Sequence, residues 1–480
     1  MRNTTPFFPG FHHILFGRAQ RSAQQQLRTQ AQALEQASLC QLGKVCAPWV
    51  PARLLKPTER GAHSRQRLFP QGLTFWAFLS QVLSPQSSCR ETVRKVQAWY
   101  TARRLPRPGS GTAAYCNARA RLSHDTLLSI HRHTADESQR RLVSDQLWHG
   151  RHVKVIDGTG VSMPDTTDNQ KAFPQPSNQK AGCGFPVAKL VGCFCLASGA
   201  LLHWAEGTKH VHERKLFRTF FAFFRPDDIV LTDRGFCSYT DIALLQRAGV
   251  DSVMRLHQAR PRDLRKGKRL GPNDRLVTWQ KPRQRPRGCT LRDWRRVPDS
   301  LTLRLVYVSV DVKAWRTKSL VVVTTLTDPV VYPPADIAKL YLRRWAVELF
   351  FRDIKITLGM DVLRCQTPDM VRKEIVMHAI AYNLIRALMQ QAAALYHVPI
   401  ERISFKGAVD TLRQWADTLN ATSGKPREQD RLFNQLLQIL AEDIVPYRPE
   451  RAEPRVRKRR PKAYPLMTSP RHEYHLALAS

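Results

Sequence analysis

The chain has 480 residues, too many for a single core, and 42% are hydrophobic, enough for a folded protein of roughly two to four domains. Lysine and arginine number 76 against 39 aspartates and glutamates, a formal net charge of +37 that points to a polyanionic partner. That charge runs along the whole chain rather than one amphipathic face, which argues against a membrane surface, and no apolar stretch is long enough to span a bilayer. The start, MRNTTPFFPGFHH, lacks the pattern of a signal peptide. Ten cysteines without a CxxC pair are expected to be reduced thiols of a cytoplasmic protein, with zinc not expected; Cys193 and Cys195 would share the buried face of one strand.

Residues 1–150 read as a helical, basic unit. Helices are expected at Gln24–Ser38, Leu73–Leu83, Cys89–Tyr100 and, after the Gly109–Gly111 loop, over Ala113–Arg141. Two readings stand open for it: a plain helical bundle, or a domain that binds DNA ends. At His152 the pattern changes. Strands are expected at Val153–Ile156, ending at Asp157, then at Val187–Cys195, Leu201–Ala205, Asp228–Leu231 and Ser252–Leu256, with helices at Glu213–Phe224 and Thr240–Ala248. Residues 257–298 are dense in Arg, Lys and Pro, and β-rich runs follow at Leu301–Val310 and Ser319–Thr325. A long helix is expected over Ala335–Leu358, opened by Pro333-Pro334 and Asp336 and closed by Gly359, and a second over Met370–Tyr396. The end of the chain carries the basic run Arg455–Lys462.

Two aspartates stand where apolar runs stop: VKVIDGTG at Asp157 and IVLTDRGF at Asp233. Functional groups in open α/β sheets gather outside the carboxyl ends of strands, although Asp is also an ordinary turn residue. Carboxylates gathered in a basic chain suit a hard divalent cation, magnesium or manganese. In the long helix, Tyr341, Arg344, Glu348 and Lys355 fall within roughly a 60° arc at about 100° per residue, and Asp353 falls off that stripe. Glu348 could equally be half of an i,i+4 ion pair with Arg344.

The series Tyr341, Arg344, Glu348 and Lys355 resembles, in type and spacing, the signature of the insertion-sequence-four family of bacterial DDE transposases. The stretches IDGTGVSMPDT and LTDRGFCSY, and the tail EPRVRKRRPKAYPLMTSPR, are similar to other family segments. The resemblance implies an α/β chain with a ribonuclease-H-like core at 151–256 and 330–395, interrupted by a β-rich insertion at 257–329. A helical N-terminal DNA-binding domain (1–150) and a C-terminal helical region with a basic tail (396–480) complete that layout. It implies Asp157, Asp233 and Glu348 as catalytic ligands of two Mg2+ or Mn2+ ions. Tyr341, Arg344 and Lys355 are then expected on DNA, with Arg457, Lys458, Arg459 and Arg460 adding phosphate contacts that weaken with salt. The reaction implied is cut-and-paste transposition of double-stranded DNA through hairpin ends, by a homodimer synapsed on paired ends in the bacterial cytoplasm, at the nucleoid.

Relatives stack a flipped base on a Trp of the insertion. Trp279, Trp294 and Trp315 are available here, whereas Leu320 lies near the position where the aromatic is wanted. His210 and His212 beside Glu213 could be a metal site or helix-start residues. Lys180 and Lys189 could touch DNA or be surface charge, and Asp165 and Asp168 read as loop residues. The rival functions are a catalytically silent DNA-binding descendant, a nuclease that cuts without joining, and a plain nucleic-acid-binding protein.

Overall fold

A computed structural model describes residues 46, 49–56, 68–102, 105–260, 266–286, 288–310, 319–421, 426–446, 466–471, 473 and 474. The helix expected at Gln24–Ser38, Trp315, and Arg457, Lys458, Arg459 and Arg460 lie outside the described residues. The chain divides into two compact units, one of residues 1–141 and 352–446, the other of residues 142–351 and 447–480.

The first unit is helical. Its axis is the helix Pro368–Tyr396, opened by Thr367, whose side chain accepts from the Met370 N–H, and closed at His397 in the left-handed region (φ 53°). Apolar side chains occupy most of its circumference, so neighbours cover it on several sides: His124–Arg140, Gln71–Leu83, Phe405–Ala421 and Pro426–Glu442. Its buried polar groups are matched across helices. Asn383 donates to Thr134 Oγ1 at 3.0 Å, and Gln390 donates to the Ser138 carbonyl at 3.1 Å. The single helix expected over Ala113–Arg141 is two, Ala113–Arg121 and His124–Arg140. Ser123 makes the break by capping the second, its Oγ accepting from the Thr126 N–H.

The second unit is a mixed α/β structure built on one nine-stranded sheet. Its strands are β1 (Val153–Ser162), β2 (Val187–Cys195), β3 (Leu201–Thr208), β4 (Ile229–Thr232), β5 (Asp251–Arg255), β6 (Lys268–Gly271), β7 (Asp274–Gln280), β8 (Ser300–Ser309) and β9 (Ser319–Thr324). The spatial order is β3-β2-β1-β4-β5-β9-β8-β7-β6. The β1–β4 and β4–β5 pairs are parallel, and the remaining pairs are antiparallel. The parallel centre is apolar on both faces, as Ile229, Val230 and Leu231 show by their complete burial. Two buried ion pairs sit in this sheet. Lys154 Nζ is 2.6 Å from Asp228, and Arg304 grips Asp274 with two bonds of 2.8 and 2.6 Å while also donating to the carbonyls of Leu326, Asp328 and Tyr332.

Further expectations need correction, among them the helix expected over Glu213–Phe224, which ends at Arg218. β1 does not end at Asp157 but runs to Ser162, because β2 stays paired with it from Lys154 to Ser162 after β4 has stopped at Thr232. The long helix is not uniform either. It is α-helical over Pro334–Leu342, tightens to a 3-10 turn at Arg343–Trp345, resumes over Ala346–Arg352 and widens to a π-helical turn at Asp353–Thr357. Among the described residues no helix is long and apolar enough to cross a membrane.

Candidate active site

Parallel pairing of β1 with β4 sets the site. The register matches Val153 with Ile229 and ends with Ile156 beside Thr232. The next residue in each chain segment is an aspartate, Asp157 within β1 and Asp233 just past the end of β4, so the two stand at the same level on neighbours spaced about 4.8 Å apart. Equal parity along parallel strands places both on one face. Asp233 is fixed by its own turn, where its Oδ1 accepts from the Gly235 N–H at 2.8 Å. A Cβ on Gly235 would stand 3.1 Å from that oxygen, so the turn favours glycine.

Asp157 has two partners. Its Oδ1 accepts from the Gly158 N–H at 2.8 Å, and its Oδ2 lies 3.3 Å from Arg344 Nη1. Burial raises its pKa to about 6, against the Gly158 N–H and the Arg344 charge, and the nearby Asp233 and Glu213 carboxylates push the same way as burial. Arg344 is itself only 7% exposed. Its other terminal nitrogen, Nη2, lies 3.5 Å from Glu348 Oε1, and its guanidinium stands 5.1 Å from the Trp345 ring centroid. One guanidinium therefore stands between Asp157 and Glu348. The Glu348 side chain remains 61% exposed.

Tyr341 is buried, at 1% exposure, rather than displayed on the surface. Its hydroxyl hydrogen-bonds Arg344, and burial pushes its pKa well up. The two residues are three apart, which sets their side chains as neighbours on the helix surface. Lys355 lies in the π-helical turn of the helical unit and is half-buried.

On the sheet face bearing Asp157, Gly192 is the cross-strand partner of that residue. A Cβ there would meet Phe194 at 2.9 Å and Phe351 at 3.1 Å. The Phe351 ring, three residues beyond Glu348, thus occupies the space a side chain at Gly192 would take and seats the helix on β2.

Sequence reasoning missed Glu213 as a neighbour of Asp157. Its carboxyl carbon sits 2.8 Å from where a Gly158 Cβ would be, at the opposite face of β1. It also missed Arg214 and Arg260, whose charges reach the Cys237 thiol as that of Asp233 does, and Arg255, whose charge reaches Tyr341. Only the glycine-rich DGTG run hinted that something presses on β1.

Other singled-out residues have plain roles. His212 caps the helix Glu213–Arg218, its Nδ1 accepting from the Arg214 N–H at 3.2 Å. Lys189 donates to the Val211 carbonyl at 2.8 Å, and Lys180 lies 3.3 Å from Ser469 Oγ. Asp165 accepts from Gln170, and Asp168 sits in the first turn of the helix Thr167–Ala172. Trp279 carries the Arg260 guanidinium 3.7 Å from its ring centroid, and Trp294 carries Lys281 at 4.8 Å. Among the described residues, no three His, Cys, Asp or Glu side chains stand as a ready-made metal cage. The donor chemistry of Asp157, Asp233 and Glu348 nevertheless suits a hard cation, which would also relieve the buried charge of Asp157.

Residues 148–384 match the family model for the transposase DDE domain. The chain is 27% identical over 458 residues to the transposase InsG for insertion sequence element IS4 of Escherichia coli (strain K12), covering 92% of this chain and 96% of that protein. Among solved structures, a piggyBac transposase synaptic complex with hairpin DNA gives a TM-score of 0.40 at 10% identity, over 82% of this chain and 81% of that one, a likeness too slight to build on.

Proposed function

The chain is a DDE transposase of the insertion-sequence-four family, and from that membership we propose that Asp157, Asp233 and Glu348 are its catalytic carboxylates. The observation that carries the reading is the register of β1 and β4, which sets the two aspartates abreast on adjacent parallel strands. The order β3-β2-β1-β4-β5, with β1 flanked by one antiparallel and one parallel neighbour, supports a ribonuclease-H-like core, and the β-rich stretch 257–329 fits an insertion within it. Asp157, Asp233 and Glu348 would together hold two divalent ions, magnesium or manganese. Such ions supply Lewis acidity to the attacking and leaving oxygens of an in-line phosphoryl displacement.

The chain's own groups do the rest. Arg344 offers a planar fork to a phosphate, which a carboxylate or phosphate accepts with two parallel bonds. Tyr341 hydrogen-bonds Arg344 and so restrains that fork. Burial of Asp157 keeps water from the carboxylate on one side, and the Gly158 N–H fixes which oxygen faces outward. Lys355, and Arg457, Lys458, Arg459 and Arg460, are proposed as phosphate contacts on double-stranded DNA. The expected course is cleavage at terminal inverted repeats and strand transfer through hairpin ends, by a homodimer on paired ends in the cytoplasm.

The test is incubation of the protein and magnesium with the DNA flanking its own gene. Magnesium-dependent cuts at inverted repeats, joined later to target DNA and lost in Glu348→Gln, are expected. Cutting without joining would favour a nuclease. DNA binding with no metal-dependent cut would refute the catalytic assignment.

A further inference from the structure

We propose that Arg344 locks the metal site of the DNA-free enzyme: its guanidinium fills the space between Asp157 and Glu348, and a DNA phosphate must draw it out before the carboxylates close on a cation. The inference rests on the reading of Asp157, Asp233 and Glu348 as metal ligands. It adds the order of events at that site, namely that DNA comes before metal.

Geometry is the first argument. A magnesium ion needs oxygen ligands at about 2.1 Å in near-octahedral array. Arg344 Nη1 stands 3.3 Å from Asp157 Oδ2, and Nη2 stands 3.5 Å from Glu348 Oε1. The guanidinium thus takes the outward oxygen of Asp157, the inward one being held by the Gly158 N–H. A cation at that oxygen would share it with a fixed positive charge at contact distance, and the two like charges repel.

The second argument is how poorly the present partners satisfy Arg344. Each carboxylate takes one nitrogen, with neither gripping the fork from both tines. Its Nε is buried with no hydrogen-bond partner. A buried donor left unmet destabilises the pose that leaves it so. A phosphate presents several acceptor oxygens and takes guanidinium N–H groups in pairs, Nε included. The fork is therefore better matched to a phosphate than to the two carboxylates it now holds apart. Tyr341 and the Trp345 ring keep the side chain from wandering when it is unlocked.

The lock predicts that metal affinity without DNA is limited by Arg344 and not by the carboxylates. The experiment titrates Mn2+ into the full-length, DNA-free protein and reads free Mn2+ by electron paramagnetic resonance, with thermal melting as the check on folding. Arg344→Gln should bind Mn2+ at least about tenfold more tightly than the unaltered protein, the scale set by one like charge removed at close range. The double variant Asp157→Asn/Arg344→Gln should lose that gain. Arg344→Lys, whose single ammonium cannot bridge both carboxylates, should move the same way by less, and it stands in if the Gln variant does not fold. If Arg344→Gln binds no more tightly while Asp157→Asn still weakens binding, the metal site stands and the lock is wrong. If Asp157→Asn changes nothing in either background, the assignment of the metal site fails and takes the lock with it.

Discussion

Gly192→Ala probes whether the ring of Phe351 truly confines the Glu348 helix against β2. The added methyl would sit 2.9 Å from Phe194 Cε2, closer than real Cβ atoms approach, and 3.1 Å from Phe351 Cζ, tight enough that the ring must give by a few tenths of an ångström. Both rings are well buried and lie edge to face with centroids 5.0 Å apart, so neither has free space to retreat into. Overpacking of this kind costs about 1–3 kcal/mol. Removing a glycine from a strand returns about 0.5–1 kcal/mol. The net loss is about 0.5–2 kcal/mol, a fall of about 1–8 °C in melting temperature for a unit of this size. Gly160→Ala is the matched control on β1, because its Cβ meets only ordinary contacts at 3.6 and 3.8 Å. It should raise the melting temperature by about 1–3 °C. Magnesium-dependent cleavage should fall in Gly192→Ala by more than stability does, since misplacement of a catalytic group by about 1 Å costs on the order of a hundredfold. Differential scanning calorimetry and a nicking assay measure the two effects. Equal melting of the two variants would refute the claim that these rings leave no room at Gly192.

Other perturbations follow from the same structure. Asp274→Ala would strand the fully buried Arg304 without its carboxylate and should cost about 3–5 kcal/mol in urea denaturation, whereas Asp274→Leu/Arg304→Met should recover most of that loss. Gly158→Ala would press on the far end of the flexible Glu213 side chain rather than on a ring or backbone, so it should shift melting by less than about 0.5 kcal/mol while moving Glu213 away from Asp157. In the helical unit, burial and the Arg364 charge lower the His378 pKa to about 3. The unfolded chain then takes up a proton that the folded unit refuses, so this residue's contribution is intact above pH 6.5 and is lost as pH falls toward 3, by about 2 kcal/mol at pH 5. Glu374 titrates in the opposite sense, because its raised pKa lets the folded unit hold a proton first. The contribution is therefore read as the difference in urea stability between the unaltered protein and His378→Gln, which should narrow by that amount between pH 7 and pH 5.

Strands announced themselves where apolar runs were unbroken. β2, β4, β5, β8 and β9 lie within a residue or two of their expected places, since Val, Ile and Leu at the sheet centre have no other use. β6 and β7 were not legible, because Lys268, Arg269, Arg275 and Gln280 give a polar run that becomes strand only through pairing, β7 with β8 and β6 with β7. The end of β1 was misjudged because glycines at 158 and 160 read as a turn, whereas β2 holds them extended. At the site, the two aspartates were visible as strand-end acids. Their shared level was not, being a property of register between segments more than seventy residues apart. The helical stripe rested on uniform geometry that the 3-10 turn breaks. It still led to the contact between Arg344 and Glu348, though Tyr341 proved to be a buried support.

The continuous sheet has a consequence for anyone wishing to shorten this protein. Residues 257–329 read in the sequence as a β-rich insertion within the core. Yet β9 pairs with β5 through Val253, Met254 and Arg255, and β8 and β7 build outward from it. Excision would leave a central parallel strand with a bare row of N–H and C=O groups, flat and apolar, open to the same strand of another molecule. The shortened chain would be less a minimal enzyme than a seed for aggregation.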